Sequence, residues 1–283
     1  MLGETNIQRR ERIKEMVKAM NLTSDFFLGV ALEDKEACAY VLQILMGRSD
    51  IHVKDVKTQY SIRQVGTHSV VFDVFAEDTQ GKIYEIEMQT GNKKGHFKRV
   101  RYITSSADTA FLDKGCSYTE LPELHIFYIT TFDIAGAEKT VYDVIRMVKG
   151  THLVFDNGVH EHYVNTMIDD GSSVAGLMKY FKKTDSADMS HGELSRRVKY
   201  LKGEEGGHFY MCEIIEKLRE EGREEGREEG MEQGIKKGEE KGICAFIQDN
   251  IEENKTKEVI LSKLHKRFGL TKEEAEKYYN KYV

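Results

Sequence analysis

Apolar positions change period several times along the first two thirds of this chain, and each change predicts an element. After the polar stretch 33–36, Ala37, Tyr40, Val41, Ile44 and Leu45 recur at helical spacing, and Gly47 closes the run. Residues 53–62, 69–76 and 82–90 then hold β-branched and aromatic residues in short runs split by polar turns, which predicts a strand meander. Between 96 and 112 the helical period returns through Phe97, Val100, Ile103, Ala107, Ala110 and Phe111, with Gly115 as a stop. Pro122, the only proline, precedes an apolar run over 124–131 dense enough for a buried strand. Strand, helix, strand implies a right-handed crossover. Strand-like pieces at 140–147, 152–155 and 160–166 follow, then helical patterns at 174–181 and 193–201. The basic opening segment 7–20 reads as a loosely attached helix.

The pattern changes again at Glu204, where a long charged helix is expected. Gly222, Gly226, Gly230, Gly234, Gly238 and Gly242 recur at every fourth position, so on a helix they form a slowly winding stripe. Each costs about 1 kcal/mol against alanine in a helix, so the stripe either meets a partner helix or belongs to a solvated low-complexity segment. Over 256–282, Val259, Ile260, Leu264 and Phe268 share a face, Gly269 breaks the pattern, and Thr271 with Glu274 forms a capping box. A small helical hairpin, docking on a partner or on the core, is expected there. The organisation expected is a helical segment over 1–24, a core domain over 25–202, the glycine-tetrad helix over 203–247 and the hairpin over 248–283.

Composition narrows the class. With 283 residues, 40% hydrophobic and 32% charged, the chain can bury one substantial core, and no stretch approaches the ~20 apolar residues of a membrane span. No apolar signal segment opens it, so a cytoplasmic location is expected. Cys38, Cys116, Cys212 and Cys244 are scattered, with no C-x-x-C pair, and read as reduced thiols. His125, His152, His160 and His162 lack zinc spacing and read as structural. The net charge of -6 argues against indiscriminate coating of nucleic acid, leaving local charge to decide.

The hairpin formed by the second and third predicted strands carries the chemistry. Strand alternation sets Val70, Phe72 and Val74 on one face and Val71, Asp73 and Phe75 on the other, while Tyr84, Ile86 and Met88 oppose Glu85, Glu87 and Gln89. A three-residue loop, Thr79-Gln80-Gly81 with Gly81 left-handed, matches Phe72 to Met88, Val74 to Ile86 and Asp73 to Glu87. Two opposed carboxylates destabilise a hairpin unless something neutralises them. A divalent cation would do so, with the Met88 carbonyl as a further oxygen ligand. The other reading of the same pattern is a solvated sheet face bearing ordinary surface acids.

The stretch VVFDVFAEDTQGKIYEIEMQT resembles the D…E-x-Q hairpin of the PD-(D/E)XK nuclease superfamily, and more closely the Rpn family of recombination-promoting nucleases, also named transposases. The resemblance extends through DFFLGVALEDKEACAYVLQILMG before it and KRVRYITSSADTAFLDKGCSYTELPELHIFYITTFDI after it, and the Glu/Gly-rich tail is typical as well. It implies an α/β, restriction-endonuclease-like mixed sheet flanked by helices, followed by the long helix and the small hairpin. It further implies Asp73 and Glu87 as metal-binding, catalytic carboxylates, and Gln89 at a position often held by lysine. Glutamine lacks the lysine charge but can orient water or phosphate by hydrogen bonding. Glu36 matches a position where related nucleases place another metal-holding acid. Lys98, Arg99, Arg101 and Tyr102, with Lys93 and Lys94 upstream, form the densest basic group nearby and are expected to contact phosphate.

The function expected is therefore Mg2+-dependent, or Mn2+-dependent, endonucleolytic cleavage of DNA, with self-association through the C-terminal helix. The alternative is a catalytically weak or inactive interaction protein that oligomerises through that helix.

Overall fold

The computed structural model describes residues 6–62, 70–92 and 94–283. Ser69, Lys93 and the first five residues of the opening segment lie outside these residues. Contacts divide the chain into two compact units, Met1–Glu213 and Ile214–Val283.

The first unit opens with α1 (Asn6–Ala19), α2 (Asp25–Leu32) and α3 (Lys35–Met46). The helical period starting at Ala37 marked α3, whose Asp34 side chain caps its start and whose Gly47 ends it in the left-handed region at φ 64°. It did not mark α2. DFFLGVAL is apolar almost throughout and buries Phe27 through Leu32 on every side, so it has no polar face to set a period. Ser24 caps it by accepting from the Phe27 amide.

Strands β1 (Val53–Ile62), β2 (Val70–Asp78) and β3 (Ile83–Gln89) follow, then α4 (His96–Phe111), β4 (Leu124–Thr130), β5 (Val141–Val144) and β6 (Val159–Asn165). They form one six-stranded mixed sheet in the order β1-β2-β3-β4-β6-β5. β1, β2 and β3 are antiparallel neighbours, β3-β4 and β4-β6 are parallel, and β5 returns antiparallel on β6. The expected strand over 152–155 is only a single bridge, Met147 to Val154, and its Leu153, Val154 and Phe155 stay exposed. Helices α5 (Ser173–Phe181) and α6 (Gly192–Gly203) complete the core, and α7 (Glu205–Glu252) begins in this unit.

Helices cover both faces of the sheet, which matches a restriction-endonuclease-like α/β fold. On one face α4 lays Val100, Ile103 and Ala107 over Phe72, Phe75, Ile83, Leu124, Ile126, Tyr128 and Tyr163. On the other, α2 approaches β1 and β2 so closely that a β-carbon at Gly29 would stand 3.6 Å from Thr58 Cβ and 3.7 Å from the Asp73 carbonyl oxygen. Burial on both faces explains why β4 reads as a near-continuous apolar run, whereas β3, equally buried, alternates apolar residues with Glu85 and Glu87. Among the described residues no helix is long and apolar enough to cross a membrane.

In the second unit, the end of α7 packs with α8 (Lys257–Phe268) and α9 (Lys272–Tyr282) through Ile243, Ile247, Ile260, Leu264 and Ala275. The Thr271–Glu274 capping box is formed as expected. Val259, expected on the apolar face, is exposed, while Ile260, Leu264 and Phe268 pack toward the end of α7.

Candidate active site

The β2-β3 turn forms as its residues predict. Gly81 takes φ 80°, the Asp78 amide donates to the Lys82 carbonyl at 3.0 Å, and the Asp78 carboxylate accepts from the amides of Gln80 and Lys82. The ladder then pairs Glu77 with Ile83, Ala76 with Tyr84, Phe75 with Glu85 and Val74 with Ile86. Continuing that register sets Asp73 opposite Glu87. Here the carboxylate itself bridges the strands, as Asp73 Oδ2 accepts from the Met88 amide at 2.9 Å.

Simple alternation fails beside this point. Thr58 pairs with Val74 and Tyr60 with Phe72, while Gln59 between them adopts φ 48°, a left-handed conformation that a glutamine in a strand rarely takes. Beyond this distortion Phe72 joins Phe75 in one cluster, their ring centroids 6.0 Å apart, instead of facing away from it. The Gln59 amide reaches Asp73 Oδ1 at 3.5 Å. Backbone strain of this kind concentrates where a side chain must be aimed. No spacing in the sequence signals it.

Three carboxylates share the α4 face of the hairpin. Asp73 is 8% exposed, Glu87 1% and Glu85 fully buried. No donor from another residue reaches either oxygen of Glu85 or Oε2 of Glu87, and the two carboxyls lie within hydrogen-bond reach of each other. Glu87 Oε1 accepts from Arg99 of α4, from Nε at 2.8 Å and from Nη2 as well. Burial, then the charge of Asp73, pushes Glu87 up to about 7 against the pull of Arg99. Burial, then Glu87 and Asp73, pushes Glu85 well above the carboxylate range. Asp73 is raised by burial, opposed first by the Met88 amide, and then raised further by the charge of Asp25. A buried acid without partners is costly, and a proton or a cation relieves it. The oxygen donors present here suit a hard divalent ion.

A second chain of polar groups reaches Gln89. The Tyr128 hydroxyl donates to Gln89 Oε1 at 3.4 Å and lies 2.8 Å from His96 Nδ1. These contacts link Gln89, Tyr128 and His96 in one polar chain. His96 Nε2 is a buried atom without a partner.

The fold thus brings Asp73, Glu87 and Gln89 to one end of β2 and β3, with Glu85, Arg99, Tyr128 and His96 around them. Met88 contributes its amide to Asp73. Glu36 is exposed in the first turn of α3, and the helical acid whose charge reaches Asp73 is Asp25, at the start of α2. Asp25 was legible only as the acid following a capping serine. Lys98, Arg101 and Tyr102 lie on the outer side of α4, whereas Arg99 is turned inward to Glu87 instead of being free for phosphate. Lys94 is exposed, and Lys93 lies outside the described residues.

A mixed sheet whose hairpin carries these acids, followed by a crossover helix, is the frame of a nuclease-like domain. Residues 29–168, which contain the hairpin, match the family described as PD-(D/E)XK nuclease family transposase, and the domain they form belongs to that family. No curated protein and no solved structure matches the chain.

Proposed function

We propose that this protein is a metal-dependent DNA endonuclease of the recombination-promoting Rpn type, acting in the cytoplasm. The observation that carries this reading is the group of three buried carboxylates, two of which keep oxygens that no donor reaches, beside a single arginine. In it, Asp73 and Glu87 hold Mg2+ or Mn2+, with the Met88 carbonyl as a third ligand. Asp25 takes the part of helical acid that the resemblance implied for Glu36. When bound, such an ion would supply positive charge to a phosphoryl oxygen and ease deprotonation of water.

The chain's own residues do the remaining work. Gln89, steadied by Tyr128 and His96, orients water or a phosphate oxygen by hydrogen bonding. Lys98, Arg101 and Tyr102 hold the DNA backbone from the outer face of α4. The first turn of that helix contains no acid, so its free amides add positive potential. In the hydrolysis a water oxygen bonds to phosphorus, the ester P–O bond breaks, and the leaving alkoxide takes up a proton.

Cleavage of supercoiled DNA with Mg2+ tests the reading. The wild type is expected to nick or linearise the substrate, and Asp73→Ala to lose at least about a hundredfold in rate while retaining its circular dichroism spectrum. Cleavage that survives Asp73→Ala would refute it.

A second role, self-association through α7, rests on a different observation. A β-carbon added at Gly222, Gly226, Gly230, Gly234 or Gly238 would meet nothing within 4 Å, and Met231 and Ile235 beside the stripe are 62% and 55% exposed. In this reading the core domain spans 25–202, the association helix 203–247 and the terminal hairpin 248–283. Truncation at about Glu220 should lower the oligomer mass measured by light scattering. An unchanged number of copies per particle would exclude α7 as the interface.

A further inference from the structure

The histidines dismissed on spacing are assembled by the sheet. The parallel register sets Tyr84 beside His125 and His125 beside His160, while Glu85 lies beside Ile126. The imidazoles therefore occupy the sheet face opposite Glu85 and Glu87. Glu123, just before β4, completes the group: its Oε1 lies 3.2 Å from His125 Nε2 and 3.3 Å from His160 Nε2. One ligand atom from each of the three residues falls within 4.8 Å of the others. Separations near 3.3 Å are the edges of a tetrahedron with bonds of ~2.0 Å, as zinc makes to nitrogen and oxygen.

The hydrogen-bond polarity points the same way. Asp143 Oδ1 lies 2.6 Å from His162 Nδ1 and can only accept, so that nitrogen carries a proton. When the rings are neutral, as metal binding requires, His162 Nε2 accepts from His125 Nδ1, 3.3 Å away. That leaves His125 Nε2 with a bare lone pair facing the Glu123 carboxylate oxygen. Two acceptors held 3.2 Å apart need a proton or a cation between them. The other Glu123 oxygen is already occupied, at 2.7 Å, by Lys82.

We propose that Glu123, His125 and His160 bind one divalent transition-metal ion of the zinc class, with water in the fourth position, and that this ion ties β4 to β6. The His162–Asp143 pair is the outer support that fixes the His125 ring, as carboxylate–imidazole pairs do at zinc sites. Imidazole with one carboxylate selects zinc over magnesium, which prefers oxygen alone. His125 and His160 are stacked, with ring centroids 4.5 Å apart, so their lone pairs run side by side. Binding therefore turns the half-buried His160 toward the ion while buried His125 stays in place.

The test uses the full chain without an affinity tag, titrated with Zn2+ against a chromogenic chelator. The hairpin is silenced by Asp73→Asn or masked with excess Mg2+. One tight equivalent is expected, and His160→Ala or Glu123→Gln should weaken it by at least about tenfold. Co2+ at the same site should give visible d–d bands that His160→Ala abolishes. His160→Ala with the native hairpin should keep its Mg2+-dependent cleavage, which separates this site from the nuclease reading. Zinc affinity unchanged by both substitutions, or no uptake by the parent, would overturn the proposal.

Discussion

Arg99 donates to one oxygen of Glu87 through both Nε and Nη2, so the first turn of the crossover helix supplies a cationic partner to the buried acids of the hairpin. The pair holds a carboxylate that is 1% exposed against a side chain that is 51% exposed. Arg99→Ala leaves Glu87 buried without a counter-charge and should destabilise the metal-free protein by about 2 kcal/mol. Because a cation can then take over the neutralising role, Mg2+ should raise the melting temperature of the variant more than that of the wild type. Equal increments in thermal denaturation would mean that arginine and cation do not serve the same charge.

The raised Glu87 gives a pH dependence of definite sign. In the folded state its carboxyl titrates near 7 against an ordinary value of 4.5, so the folded chain binds the proton more tightly than the unfolded one. The associated stability is present below about pH 4.5 and is lost as pH rises through about 7. A metal ion competes with that proton, so apparent Mg2+ affinity should rise over the same interval. Melting curves at pH 5 and pH 8, with and without Mg2+, measure both effects. A Mg2+ affinity independent of pH would sink this assignment.

Glu85 is fully buried with no donor from a basic or amide group, and its pKa is raised by burial and by Glu87 and Asp73. Glu85→Gln keeps the side chain's shape and removes an acid that must be buried either protonated or charged beside two others. The metal-free variant should gain about 1 kcal/mol at pH 8, by the relief of an uncompensated buried acid. Its Mg2+ affinity should fall. A drop in stability at that pH would show that Glu85 has a partner in solution.

The glycine stripe of α7 separates a solvated helix from an associating one. Replacing Gly226, Gly230 and Gly234 with alanine meets no atom within 4 Å in one chain and should add about 1 kcal/mol of helix stability per site. If a second helix packs on the stripe, the same methyl groups hold the backbones apart and the oligomer dissociates at higher protein concentration. Circular dichroism and sedimentation on the triple variant distinguish these outcomes, and tighter assembly would count against close glycine packing.

Much of the fold was legible because its helices are amphipathic and its turns chemically explicit. α3 shows its period from Ala37 to Leu45 and its stop at Gly47, and the hairpin loop follows from Gly81. α2 was not legible, since a helix buried on all sides has no polar face. The distortion at Gln59 was not legible either, because a left-handed backbone inside a strand is not a preference of glutamine.

The sequence by itself determined the hairpin turn, the register that sets Val74 against Ile86, and the order of strands and crossover helix along the chain, because strand period and turn length are local properties. Only the tertiary structure decided which groups surround Asp73 and Glu87. Arg99 turns inward while Lys98 and Arg101 stay outward, Asp25 rather than Glu36 reaches Asp73, and Glu85 is sealed beneath α4. It also gathered Glu123, His125 and His160, separated by up to 37 residues, through the parallel register of β4 and β6. Burial and long-range register are set when elements pack against one another, and neither is written in the spacing of a single segment.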